Sequence, residues 1–189
     1  MEASQNQIDF SKTDFKNENL KAIEFESCNF KQCSFLEADL TRTIFIDCKF
    51  EDCDFSQSNP KSCALRNCTF LNCKLLGFRF DFCNTFLFEV QFTSCNLSLA
   101  SFYGLKLKKT IFKDCMLNET EFVETNLEQS IFDDCTMRLA AFANTNLKKA
   151  DLRTAQGYSI NPNENNITGA KFSLSSVSGL LDHLNITID

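Results

Sequence analysis

Eleven cysteines and one histidine are the side chains here best equipped for chemistry. Thiolates and imidazole bind metals, and a Cys/His pair makes a nucleophile with its base. Spacing decides whether they can meet. No CxxC pair occurs, and His183 lies far beyond the last cysteine, Cys135. Cys28, Cys48 and Cys68 recur at steps of 20, as do Cys33, Cys53 and Cys73, and again Cys95, Cys115 and Cys135. A metal needs ligands that converge tetrahedrally, and an even ladder does not converge. Stacked Cα atoms ~4.8 Å apart come within disulfide reach, but ladder neighbours share one side-chain direction. The cysteines are therefore expected to be small buried apolar residues, with no metal and no cofactor. One histidine and no nucleophile–base pair leave no case for catalysis, so a non-enzyme is expected.

The wider composition narrows the class. Met1-Glu-Ala-Ser-Gln lacks the basic-then-apolar layout of a signal peptide, and no stretch approaches 18 uncharged apolar residues. A cytoplasmic protein without a membrane span is expected, in which thiols stay reduced. A net charge of −6, from 25 acids and 19 bases, argues against direct binding of nucleic acid.

What positions the cysteines is a period of five. Every fifth residue from Phe10 to Phe80, and again from Phe92 to Leu152, is Phe, Leu or Met, with Pro60 the exception. Sixteen of the 21 Phe occupy these central positions, which marks them as the core. Two residues earlier comes a series of small residues, which takes in every cysteine except Cys83. On an α-helix a step of five forms no stripe, and on a flat strand it flips alternate residues to opposite faces. The chain must turn once per repeat. After the slip Phe and Leu alternate, so a four-sided coil of 20 residues stacks Phe on Phe and Leu on Leu, whereas a three-sided coil would not. The expected fold is all-β: a right-handed quadrilateral parallel β-helix of about seven 20-residue coils, roughly 34 Å long.

Residues 1–7 are expected to be a tail, 8–156 the β-helix, and 157–189 a cap that also dimerises. Pro60 is expected to bulge out as a small loop. The segment Asp81–Gln91 carries two extra residues and is expected to kink, its Phe82, Phe86 and Phe88 folding back onto the rod. Ile167–Phe172 is expected to add a last, irregular rung. Ser173 reads as an N-cap before a helix carrying Leu174, Val177, Leu180, Leu181 and Leu184, followed by a strand, Asn185–Asp189, with Ile186 and Ile188. So many apolar residues exceed what one rung can cover, which points to a homodimer through this end.

Short units such as Ala38-Asp-Leu-Thr-Arg and Ala150-Asp-Leu-Arg-Thr resemble the pentapeptide-repeat family, whose unit is loosely A-(D/N)-L-x-x. Tyr158, the Ile160-Asn-Pro-Asn connection, Ala170-Lys-Phe-Ser-Leu174 and Gly179-Leu-Leu181 resemble the C-terminal cap of its quinolone-resistance (Qnr) type. That resemblance implies a dimer, and a rod that binds DNA gyrase or topoisomerase IV by imitating duplex DNA, protecting the enzyme from quinolones or peptide toxins. The runner-up is a scaffold for another protein partner. Charge gives the candidate contact. From Asp114 to Asp134 there are seven acids (Asp114, Glu119, Glu121, Glu124, Glu128, Asp133, Asp134) and no Lys or Arg. They stand outside the inward positions and are expected to form an acidic face toward the partner.

Overall fold

The computed structural model describes residues 4–187. Each five-residue unit supplies one short side, and the chain turns a corner between sides. The corner residue adopts the left-handed backbone region. Successive corners of one coil are Asp47, Asp52, Gln57 and Ser62, with φ of 54°, 55°, 58° and 59°. Such a conformation costs a non-glycine residue about 1–2 kcal/mol. Inter-coil hydrogen bonds offset it: the corner N–H of Asp47 donates to the Arg66 carbonyl at 2.9 Å, one coil on.

On the first side lie β1 (Ser4–Asn6), β3 (Glu24–Glu26), β5 (Ile44–Ile46) and β7 (Ala64–Arg66), which form one parallel sheet. On the second lie β2 (Asp9–Ser11), β4 (Asn29–Lys31), β6 (Lys49–Glu51), β8 (Cys68–Leu71), β9 (Val90–Thr93), β10 (Ile111–Lys113) and β11 (Ile131–Asp133). These seven are stacked in parallel and in register, so Phe10, Phe30, Phe50, Phe70, Phe92, Phe112 and Phe132 make one column. The third and fourth sides stack through single bridges, such as Ser34 to Asp54 and Ser101 to Glu121. The fold is the right-handed quadrilateral β-helix expected from the period of five.

The columns interlock. Phe50 stacks between Phe30 and Phe70, each 4.9 Å away, and meets Phe45 and Phe55 edge-on at 5.3 and 5.2 Å. Edge-to-face contact between columns and offset stacking along them are the two favoured aromatic geometries. All 11 cysteines are free and buried. Cys73 lies beside both Cys53 and Cys95, so the two trios of the sequence join into one column from Cys33 to Cys135. Cys83 also takes a small position, above Cys63. Burial pushes the Cys48 thiol up to about 12 and holds that of Cys68 well above its ordinary value.

Ala38, Ala100, Ala140 and Ala150 hold this position by smallness alone. Where it is Cys, Thr or Ser the side chain can also donate to a carbonyl 23 residues earlier: Cys53 Sγ to Phe30 at 3.3 Å, Thr125 Oγ1 to Phe102 at 2.8 Å, Ser130 Oγ to Leu107 at 2.6 Å. Cys, Thr and Ser alternate because all three are compact donors. In the native protein a thiol-specific reagent is expected to react with none of the cysteines in minutes, and after denaturation without reductant with all 11. Fewer than 11 would mean that some are oxidised.

Several expectations change. Ser4–Asn6 is β1, bridged to β3, where a tail was expected; Gln5 fills its inward position, so the apolar period does not reveal this rung. Pro60 stays buried in the grid rather than bulging, and its carbonyl accepts from Cys63 N–H at 2.9 Å. Lacking an N–H, it gives no donor to the next coil, and there the chain makes a 3₁₀ turn at Phe80–Phe82. The two extra residues fall within 86–89, after the bridge from Ala64 to Asn84 and before Val90 pairs with Cys68. Phe88 packs against the core, but Phe82 and Phe86 do not fold back: they are 52% and 65% exposed, because they hold outward positions. Arg79 and Arg66 lay guanidiniums over their rings, at 4.3 and 5.5 Å.

The ladder runs on past 156 to Lys171, which bridges Asp151, so Ile167–Phe172 does supply a rung. The cap contains no α-helix among the described residues, only 3₁₀ turns at Val177–Leu180 and Asp182–Leu184. Ser175, Ser176, Ser178 and Gly179 are poor helix formers, and Asn185 at φ 52° ends the last turn. Asn185–Thr187 form no strand. Ile188 lies outside the described residues. Among the described residues no helix is long and apolar enough to cross a membrane.

Candidate functional site

The seven acids do not share a face. Twenty residues make one coil, so a sequence run from Asp114 to Asp134 goes once around the rod. Asp133 belongs to β11 on the second side, with Asp114 and Asp134 at its corner; Asp114 N–H donates to the Asp133 carbonyl at 2.8 Å. Glu119 is the exposed corner of the third side. Glu121 and Glu124 stand on the fourth, where Glu121 accepts from Ser101 Oγ at 2.6 Å. There the Glu124 carboxylate pushes the Tyr103 hydroxyl above its ordinary value. Glu128 is on the first side, paired with Lys108 Nζ at 2.7 Å; that contact pulls its carboxyl below the usual range. The acids form a belt, and residues 20 apart, not neighbours in sequence, share a face.

Applied to the bases, the same rule finds what the sequence order hid. Lys106, Lys108 and Lys109 stack in register with Asn126, Glu128 and Gln129, and these in turn with Asn146, Lys148 and Lys149. Five lysines therefore share the first side with two carboxylates near them, Glu128 and, at its edge, Glu89. At the N-terminal end the same side carries Glu24, Glu26 and Asp47.

The other candidate surface is the C-terminal end. Leu174 is 92% exposed and Ile186 56%, with Val177 and Leu184 also exposed. Leu180 and Leu181 are half-buried, and Leu180 packs on the core. The cap is latched by Ile160 N–H donating to the Gly179 carbonyl at 2.9 Å. Gly179 fits there for want of a side chain, since a Cβ would stand 2.1 Å from the Tyr158 carbonyl oxygen. Beside this latch is an open cleft lined by Asp134, Arg153, Tyr158 and Ser176. His183 meets the Asn163 side chain at 3.5 Å. Among the described residues no cluster of three or more His, Cys, Asp or Glu could hold a metal.

A model of the pentapeptide repeat region matches residues 43–120, 85–156 and 110–180, and one of eight-copy pentapeptide repeats matches 19–57. No curated protein matches the sequence. Among solved structures, a trypsin-treated variant of QnrB1, a plasmid-mediated fluoroquinolone resistance protein, is similar over 100% of both chains, at 18% identity and a TM-score of 0.56. Full-length QnrB1 is 20% identical over 97% of this chain and 100% of its own, with a TM-score of 0.49. HetL from the cyanobacterium Nostoc sp. strain PCC 7120, a pentapeptide repeat protein involved in heterocyst differentiation regulation, is 15% identical over 91% of this chain and 87% of its own, at 0.28. At 18% identity the likeness to the trypsin-treated variant is one of fold alone.

Proposed function

The chain belongs to the pentapeptide-repeat family, and on that premise we propose that it is a non-enzymatic cytoplasmic rod that binds a partner protein through its outer surface. One observation carries this: the interior is filled from coil to coil by stacked Phe and Leu, so whatever the rod recognises must meet its outside. The partner is a type II topoisomerase, gyrase or topoisomerase IV, which the rod shields from quinolones or a peptide toxin as an acidic imitation of duplex DNA. This rests on the Qnr-like cap residues Tyr158, Ile160–Asn163 and Gly179–Leu181, and on the whole-chain likeness of fold to a fluoroquinolone resistance protein. Two protomers join through Leu174, Val177, Leu184 and Ile186, giving a rod of roughly 70 Å before caps.

A gyrase supercoiling assay with and without a fluoroquinolone tests the reading. The protein is expected to restore supercoiling under drug, and Glu121→Lys with Glu124→Lys to weaken that effect about tenfold, since both carboxylates stand on one side. Neither inhibition nor rescue by the unaltered protein would sink the topoisomerase reading. The second reading, a scaffold for another protein, is favoured by the acids circling the rod and by the lysines gathered on its first side.

A further inference from the structure

Among the described residues the ladder on the first side is interrupted once, next to the lysines. Elsewhere on this side the residue before each central position donates to the coil below, as Asn84 N–H does to the Cys63 carbonyl at 2.8 Å and Asn126 N–H to the Leu105 carbonyl at 2.8 Å. The matching bond from Lys106 to Cys83 is absent. So are those from Thr85 N–H to the Lys106 carbonyl and from Leu87 N–H to the Lys108 carbonyl. Two features pry the coils apart: the two extra residues within 86–89, and Leu105 in a position that Thr125 and Thr145 hold above it.

The gap is a groove with defined chemistry. Two adjoining hollows, of about 300 and 350 Å³, share Phe88 and Lys106. Leu87, Phe88 and Leu105 line the apolar part, and Lys106, Lys108 and Lys109 the rim, with Glu89 the one carboxylate. Lys148 and Lys149 continue the positive surface along the same side, near enough to help hold the Glu128 carboxyl low.

We propose that this groove docks an extended acidic segment of a partner protein, seating one apolar side chain against Leu87, Phe88 and Leu105 between carboxylates that meet the lysines. Three elements of recognition coincide. Unpaired backbone N–H and C=O groups take an extended chain by strand-like hydrogen bonding. The hollow takes an apolar anchor. Five lysines on a chain of net charge −6 are a local reversal of field, complementary to a carboxylate-rich segment and not to another part of the acid belt. A single-stranded nucleic acid fits less well, because the exposed rings of Phe82 and Phe86 that would stack its bases lie under Arg79 and Arg66. The proposal stands apart from the topoisomerase reading and holds for any partner that presents such a segment.

Fluorescence anisotropy tests it on the full chain. The probe is a fluorescein-labelled Glu-Asp-Glu-Phe-Glu-Asp-Glu peptide, beside the same peptide with alanine for phenylalanine and an oligothymidylate of equal label. The phenylalanine peptide is expected to bind, more weakly with added salt, and the alanine peptide to bind at least about fivefold more weakly. Lys106→Glu with Lys109→Glu is expected to cost about tenfold, and Lys148→Glu with Lys149→Glu several-fold, while Lys49→Glu on the second side changes nothing. No binding up to about 1 mM, equal loss with Lys49→Glu, equal affinity of the two peptides, or preference for the oligothymidylate each overturns the proposal.

Discussion

Phe50→Ala is expected to lower the unfolding free energy by about 3–5 kcal/mol, the range for emptying a large aromatic from a packed core. Its ring is 1% exposed and meets five others, two stacked and three edge-on. The backbone around it cannot close the void, because β6 is fixed in register to β4 and β8 on either side. Phe50→Leu leaves most of the volume filled and is expected to cost less than half as much. Equilibrium urea unfolding followed by circular dichroism measures both. A cost under about 1 kcal/mol for Phe50→Ala would show that the column relaxes, contrary to close packing between fixed coils.

Gly179→Ala is expected to act at the other end of the molecule and by the opposite route, adding an atom where there is no room. The new Cβ would meet the Tyr158 carbonyl oxygen at 2.1 Å and its ring at 3.0 Å. Backbone must move, and the bond from Ile160 N–H to Gly179 goes with it. Overpacking of this kind costs about 1–3 kcal/mol, spent on the cap rather than on the rod. Light scattering during size exclusion is expected to report a dimer for the unaltered protein and the single-chain mass, 21.5 kDa, for the variant. The far-ultraviolet spectrum of the coils should stay the same. A variant that remains dimeric places the interface away from Leu174, Val177, Leu184 and Ile186. A monomeric parent removes the dimer altogether.

The fold was legible because its rule is local and repeated. Phe92, Phe112 and Phe132 declare a column by their spacing alone, and the structure stacks them with centroids 5.4 and 5.0 Å apart. Legibility failed where the rule is kept by an unexpected residue. Gln5 and Pro60 hold inward positions without looking apolar or strand-like, and Cys83 looks out of series only because Thr85 follows it at the next central position. The candidate surface was less legible, for a geometric reason. Charge read along the chain follows one coil around its axis, whereas a face is read every 20 residues. Asp114–Asp134 looked like a patch and is a belt. Lys106 and Lys148 stand far apart in sequence and share a side. The groove had two signals in the sequence, the extra residues after Thr85 and Leu105 in a small position. Neither reveals which hydrogen bonds are lost until the neighbouring coil is in place.

The left-handed corners bear on how such a surface changes over generations. At Glu119, Glu124, Gln129 and Leu139 the backbone, at φ of 55°, 57°, 62° and 58°, is held by the ladder, while the side chain projects into solvent. Glutamate, glutamine and leucine are accepted at the same kind of corner, so identity there is nearly free of the core. A lineage can rewrite charge and shape along every edge one residue at a time, and no step needs a compensating change inside. The scaffold of this chain is written almost in a fixed alphabet of Phe, Leu, Cys and Thr. The message it displays is free to drift, which is how two rods can share a full-length fold at 18% identity.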